Sequence, residues 1–116
     1  MEKIYKINHE LLNLADYSKK DVIRHLFNSW DKLERWAVRG DSVSHDILID
    51  LNQCLNHEFL EENHKRVLKD FYVEQHTLTE LAEEYKLSKT GVIYWIDGAI
   101  DRVYKLLNNK TDYKLY

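Results

Sequence analysis

Apolar residues recur three or four positions apart along most of this chain, which is the spacing of one buried face of an α-helix. In the N-terminal half the pattern predicts three helices, over 3–14, over 19–38, and from Ser42 or Ser44 to about Asn56. Ser18 is the expected N-cap of the long helix 19–38, and Gly40 is its expected C-cap. The pattern therefore indicates a helical N-terminal region over residues 1–57.

The same spacing continues through the C-terminal half. A fourth helix is predicted from about Glu61 to Glu74, and a last helix from Lys89 to about Leu107. The apolar face of the last helix is expected to bury Val92, Trp95, Ala99, Ile100 and Val103. Residues 58–116 are thus expected to form a second helical domain.

Residues 77–107 have the pattern of two helices joined by a tight turn. Thr77 with Glu80 three positions later has the spacing of a capping box, and Ser88 is an expected second N-cap. The short side chain of Ala82 suits a place where two helices cross closely. These features are typical of a helix-turn-helix, whose second helix can lie in the major groove of DNA.

The composition agrees with an all-α protein of one domain, or of one domain with an appendage. The 116 residues include no proline and three glycines, and 44% of them are hydrophobic. No apolar run approaches the length of about 18 residues that spans a membrane, and the first ten residues lack a signal-peptide core. A single cysteine, Cys54, indicates a reducing, cytoplasmic setting.

The charge balance does not by itself indicate a nucleic-acid binder. The net charge is −3, and residues 60–116 carry nine Lys or Arg against ten Asp or Glu, a difference of −1. Proteins that bind DNA usually present a basic surface. Any contact with phosphates must therefore come from the local placement of positive side chains.

Residues 60–107 contain a set of capping and core residues in a recognisable order. The set comprises Val67, Leu68, Tyr72, Thr79, Leu81, Ala82, Leu87, Ser88, Val92, Ala99 and Leu106. In this order and spacing it resembles region four of bacterial sigma factors. With its helical N-terminal half, the chain is similar overall to small sigma-like regulators of Gram-positive phages and mobile elements, of the ArpU and RinA types.

The resemblance implies a cytoplasmic, sequence-specific regulator of transcription that binds double-stranded DNA. Its further expected partners are RNA polymerase and a second copy of the chain, contacted through the N-terminal region. The candidate DNA-binding residues are Lys65, Arg66, Thr77, Ser88, Lys89, Thr90, Gly91, Ile93 and Tyr94. The last six would lie in or beside the groove, and Lys65 and Arg66, with Lys69 nearby, would contact phosphates.

Four residues of the last helix favour a second interpretation, in which the same fold binds a protein instead of DNA. Ile93 and Ile96 are expected to lie together on the surface as an apolar interface. Asp97 and Asp101 add negative charge that would repel phosphates. An interaction module for RNA polymerase or a sigma factor therefore stays open, as does a role in phage DNA packaging, where helix-turn-helix modules also occur.

Neither metal binding nor catalysis is predicted. Cys54, His57, Glu61 and His64 lie near one another in the sequence, but their spacing matches no zinc motif. The chain has no glycine-rich phosphate loop and no nucleophile elbow. We therefore expect a non-enzymatic protein without a cofactor.

Overall fold

The computed structural model describes residues 16–111, and within that range every regular element is a helix. The predicted all-α class is confirmed, while the helix expected over 3–14 lies outside the described residues. The elements are α1 (Lys20–Asn28), α2 (Trp30–Val38), α3 (Ser42–Leu55), α4 (Glu62–Leu68), a π-helical segment (Lys69–Val73), α5 (Leu78–Tyr85) and α6 (Lys89–Leu107). No helix among them is long and apolar enough to cross a membrane.

One core of buried apolar side chains joins all six α-helices. The long helix α6 is central to it, because α1, α3, α4 and α5 all pack against α6. Its buried residues are Val92, Ile96, Ala99, Ile100, Val103 and Leu106. Helices from both sides of position 57 therefore share one core, and the domain boundary predicted there stays a prediction.

The prediction of a single long helix over 19–38 is wrong, because the helix is interrupted at Ser29. The Ser29 amide donates to two carbonyls of the preceding turn, and the residue leaves helical geometry with φ −97° and ψ 12°. The apolar stripe continues across the break, since Phe27 and Trp30 stack with ring centroids 6.0 Å apart. Because the apolar spacing is the same on both sides of Ser29, the sequence pattern does not show that the helix is interrupted there.

The start of α1 also differs from the sequence prediction. Lys19, and not Ser18, is the N-cap, and its side chain makes no capping hydrogen bond. Ser18 instead donates its amide and its hydroxyl to the Asp16 carboxylate. These bonds lower the pKa of Asp16 below its ordinary value, the side-chain bond contributing most. The turn before α1 is thus closed by Asp16.

The C-cap of α2 lies one residue before the predicted one, because Arg39 is the C-cap and Gly40 follows it. Gly40 has φ +97°, a left-handed conformation that glycine adopts without steric cost. Its amide donates to the Ala37 carbonyl at 3.0 Å, and the Asp41 amide donates to the Trp36 carbonyl at 3.0 Å. This pair of bonds is a Schellman motif. The helix that follows begins at Ser42 and ends at Leu55, as expected.

The helix predicted over 61–74 is α4 followed by a π-helical segment. The wider turn shows in the bond from the Glu74 amide to the Lys69 carbonyl, at 2.8 Å. It leaves Tyr72 buried and places Asp70 where the Tyr85 hydroxyl donates to its carboxylate. The π turn therefore fixes how α4 meets α5.

Both caps predicted for the two-helix unit, residues 77–107, are confirmed. The Thr77 hydroxyl accepts from the Glu80 amide at 3.1 Å, and the Glu80 carboxylate accepts from the Thr77 amide at 2.9 Å. These two bonds complete the capping box. The bond from the Thr77 amide is the main cause that lowers the pKa of the Glu80 carboxyl group, and the Thr77 side chain adds to it. At the start of α6 the Ser88 hydroxyl accepts from the Gly91 amide at 3.0 Å.

Three residues, 86–88, form the turn between α5 and α6. Lys86 adopts the left-handed conformation with φ 58°, which is uncommon for a residue with a Cβ atom. The Leu87 amide donates to the Ala82 carbonyl at 2.9 Å, and the Leu87 side chain packs against the core. The turn is therefore tight, and the direction of α6 relative to α5 is fixed by hydrogen bonds and packing.

Candidate nucleic-acid interface

The start of α6 presents four of the predicted DNA-binding residues to solvent. Lys89 and Thr90 are exposed, Ile93 is 43% exposed and Tyr94 is 72% exposed. Positions i, i+1, i+4 and i+5 lie on one side of a helix. We call Lys89, Thr90, Ile93 and Tyr94 the reading surface, because this is the side of α6 that a ligand can reach.

The other side of α6 is built into the core, which corrects one expectation. Ile96 is 4% exposed, so the apolar surface patch expected from Ile93 together with Ile96 does not form. Trp95 is half-buried, and its ring stacks on Tyr85 with centroids 5.4 Å apart. The stack joins α5 to α6 directly behind the reading surface, so the backbone under that surface is held in place.

Ser88 and Gly91 hold the first turn of α6 together. The Gly91 amide is bonded to the Ser88 hydroxyl, and a Cβ atom on Gly91 would lie 3.4 Å from Leu87 and Ser88. The missing side chain of Gly91 therefore faces the turn. Both predicted site residues contribute to the geometry of the reading surface through these contacts.

The two carboxylates that counted against DNA binding are paired with cations. Arg24 Nη1 lies 2.9 Å from Asp97 Oδ1, and Lys20 Nζ lies 2.5 Å from Asp101 Oδ1. Lys105 Nζ lies 3.1 Å from the second oxygen of Asp101. The hydrogen bond from Lys20 is the main cause that lowers the pKa of Asp101. Helix α1 thus neutralises the acidic side of α6.

The pairing of α1 with α6 was not foreseen from the sequence, although the sequence contains a signal for it. Lys20 and Arg24 are four residues apart, as are Asp97 and Asp101. Two cations and two carboxylates with the same helical spacing can match across two antiparallel helices. This pattern of charges predicts that two helices pair only when both helices are already known to pack in the same core.

Arg66 is held between α4 and α5 by several contacts at once. Its guanidinium lies 3.1 Å from Glu84, 3.8 Å from Asp70, and 4.7 Å above the ring of Tyr85. Burial, followed by the hydrogen bond to Asp70, raises the pKa of the Tyr85 hydroxyl. The guanidinium braces the two-helix unit, and its side chain is still 56% exposed to solvent.

Lys65 and Thr77, the remaining predicted site residues, make contacts within their own elements. Lys65 Nζ lies 3.6 Å from Glu62, and the Thr77 side chain is engaged in its capping box. A surface groove beside α4 is lined by residues of both charges: Asn56, Glu62, Asn63, Lys65, Arg66, Lys69 and Asp70. The positive charge beside α4 is therefore confined to a few side chains and is partly neutralised by neighbouring carboxylates.

The described residues that could hold a metal ion are not those near Cys54. Ligand atoms of Asp70, His76 and Glu84 lie within 4.8 Å of one another. Arg66 already places a positive charge beside both of these carboxylates. Cys54 is fully buried, and burial raises the pKa of its thiol to about 12, so the thiolate that binds metals is not formed near neutral pH.

Comparison of the chain with protein-family models, with curated proteins and with solved structures finds no match in any of the three. The function is therefore inferred from the residues and geometry described above.

Proposed function

We propose that this chain is a sequence-specific DNA-binding regulator of transcription, with the start of α6 in the major groove. One observation carries this proposal: the reading surface lies at the N-terminal end of the second helix of a capped, tightly turned two-helix unit. In helix-turn-helix proteins the N-terminal residues of this helix contact base edges. The exposed side chains at these positions are of a size and chemistry that suit such contacts.

Local electrostatics support the proposal despite the net charge of −3. Lys86 and Lys89 are exposed on either side of the Ser88 cap, and the partial positive charge of the helix N-terminus adds to theirs. Asp97 and Asp101 are matched by Arg24, Lys20 and Lys105. A phosphate near the reading surface would thus meet Lys86, Lys89 and the helix N-terminus, while the carboxylates of α6 are paired with cations.

Each exposed group then has a role that its chemistry permits. Lys89 donates to a phosphate or to guanine, and the Tyr94 hydroxyl donates to a phosphate. Lys65 and Arg66 provide additional positive charge beside α4. The residues of the N-terminal region bind RNA polymerase or a second copy of the chain, as in a sigma-like phage regulator working in the cytoplasm. The protein acts by binding, without a cofactor or catalysis.

A protein partner at the same surface is the second candidate. The observation that favours it is the exposure of Ile93 and Tyr94, since exposed apolar and aromatic groups are frequent at protein interfaces. In this case RNA polymerase or a sigma factor would contact the reading surface directly. Ile93→Asp would then abolish a complex with that partner, and DNA affinity would be negligible in every variant.

Fluorescence anisotropy of the full chain with a mixed-sequence duplex, at low and moderate salt, separates the two candidates. DNA binding should weaken steeply as salt rises, because counterions compete for the phosphates. Lys89→Ala should weaken binding and reduce the slope of log affinity against log salt by about one. Lys32→Ala, which removes an exposed lysine of α2, is the matched control and should change neither the DNA affinity nor its salt dependence. No binding at low salt would contradict the proposal and favour a protein partner.

A further inference from the structure

The chemistry available on the reading surface is narrow. In the major groove, Arg usually reads guanine, Asn and Gln read adenine, carboxylates accept from cytosine, and apolar groups contact the thymine methyl. The reading surface has no Arg, Asn or Gln. Lys89 suits guanine, and the Thr90 hydroxyl can bond to more than one base and so discriminates little, whereas Ile93 and the methyl group of Thr90 suit thymine.

Asp97 is the residue of α6 that could accept a hydrogen bond from cytosine, but its carboxylate is already paired with Arg24. It follows Ile93 by one helical turn on the same side of α6. Its Oδ1 atom accepts from the guanidinium of Arg24 at 2.9 Å. A cytosine amino group would compete with this charged donor for the carboxylate, and charge-assisted hydrogen bonds are the stronger kind. This leaves apolar contact as the main source of base discrimination.

Ile93 is suited to that contact by both its exposure and its stiffness. It is 43% exposed, and its neighbours one turn away, Lys89 and Asp97, are polar. A β-branched side chain in a helix has essentially one preferred χ1 rotamer. The backbone therefore fixes the position of both γ-carbon atoms, and little side-chain entropy is lost when they pack against a base.

We propose that the reading surface selects DNA by the 5-methyl group of thymine, with Ile93 as the residue that detects it. This inference rests on the proposed function, since it names the feature of DNA that the same surface distinguishes. Lys89 contributes affinity for the backbone or for a neighbouring guanine. The preferred site therefore contains at least one thymine whose methyl group lies against Ile93.

The test starts with selection of a preferred duplex from a random pool by the full chain. Each thymine of that site is then replaced in turn by deoxyuridine, which removes the methyl group and leaves base pairing unchanged. Binding of the unaltered chain should weaken about fourfold at the contacted position, the effect of one buried methyl group. Ile93→Ala should bind the thymine and uracil duplexes equally at that position.

Two further variants complete the design. Val38→Ala shortens another exposed aliphatic side chain, 87% exposed at the end of α2, and should retain the full preference for thymine. Ile93→Val keeps the branched Cβ atom and should retain part of that preference. A thermal unfolding transition for each variant shows that it is folded.

The outcomes distinguish this inference from the proposed function. A preferred site without thymine, equal binding of thymine and uracil duplexes at every position, or an undiminished preference in Ile93→Ala would overturn the inference and leave DNA binding in place. A chain that binds no duplex at low salt would overturn both. Loss of the preference in Ile93→Ala alone, with Val38→Ala unchanged, would establish the inference.

Discussion

Arg24 Nη1 lies 2.9 Å from Asp97 Oδ1, and this ion pair joins the N-terminal helix α1 to the helix that carries the reading surface. One turn away, Lys20 pairs with Asp101 in the same way. The Arg24 and Asp97 side chains are 39% and 50% exposed, so the pair contributes little to the free energy of unfolding. We infer that its main effect is to remove an uncompensated negative charge from beside the reading surface.

Removing the Arg24 cation should weaken DNA binding more than it weakens the fold. We expect Arg24→Met to lower the free energy of unfolding by less than about 1 kcal/mol. DNA affinity should fall about fivefold, because an unpaired Asp97 would repel a nearby phosphate by about 1 kcal/mol in water-like surroundings. Urea denaturation and anisotropy titration measure the two quantities.

The double variant Arg24→Met/Asp97→Asn is the control for this mechanism. It lacks both charges, so DNA affinity should return to near that of the unaltered chain. Affinity that stays low in the double variant would show that Arg24 itself contacts DNA, contrary to the shielding role assigned here.

Ser88 allows the structural and electrostatic roles of the first turn of α6 to be separated. Ser88→Ala removes the acceptor for the Gly91 amide and should cost about 1 kcal/mol of stability. Ser88→Asp keeps an N-cap acceptor and should preserve stability, since a negative charge suits the helix N-terminus. The same charge would repel phosphates, so Ser88→Asp should bind DNA more weakly than Ser88→Ala. Equal DNA affinities for the two variants would argue against groove contact by this turn.

The left-handed residue in the turn before α6 offers a stabilising substitution. Lys86 has φ 58°, where a Cβ atom costs about 1 kcal/mol and glycine has no such cost. Lys86→Gly should therefore raise the free energy of unfolding by up to about 1 kcal/mol. The reverse change at a comparable helix end, Gly40→Ala, should lower the free energy of unfolding by a similar amount. Gly40 has φ +97°, and no atom lies within 4 Å of an added Cβ, so the cost of this substitution is backbone strain alone. Thermal unfolding of both variants checks the pair.

His64 should make the protein less stable in mild acid. Burial is the main cause that lowers the pKa of His64 below 6.5, with Arg102 adding to the effect and Glu61 opposing it. Its Nδ1 atom is buried without a hydrogen-bond partner in the described part of the chain, and its ring packs close to Gly98. The unfolded chain therefore takes up a proton first, and stability should fall as pH decreases below about 6.5.

Chemical denaturation at several pH values measures this dependence. His64→Gln should flatten the fall in stability below pH 6.5, whereas His45→Gln, at an exposed position of α3, should leave it unchanged. An identical pH dependence in His64→Gln and the unaltered chain would show that another group is responsible.

Most of the helices and three of their capping residues could be predicted from the sequence because both are determined locally. Thr77, Ser88 and Gly40 each act within a few residues of chain. The two hydroxyls accept from amides of the first helical turn, and Gly40 closes the helix end in a left-handed conformation. Ser29 shows the limit of this approach. The interruption at Ser29 leaves the apolar periodicity unchanged. It is visible only in the structure, where two separate helices pack against one core.

The candidate site could be predicted in part, and the missing part depends on tertiary contacts. The exposure of Lys89, Thr90, Ile93 and Tyr94 agrees with their expected place on the free side of a helix. Ile96 was assigned to the same surface, but the core of this chain covers it. The partner of Asp97 comes from a residue 73 positions earlier in the chain (97 − 24), a contact that no local pattern encodes.

The most direct test of the central claim is an amide chemical-shift titration of the ¹⁵N-labelled full chain with duplex DNA at low salt. If the start of α6 enters the major groove, the largest changes should fall at residues 88–94, with smaller changes near Lys65 and Arg66. The amides of α2 and α3 should change little. Changes confined to α2 and α3, or no changes at any residue, would contradict the assignment of α6 as the DNA-reading helix.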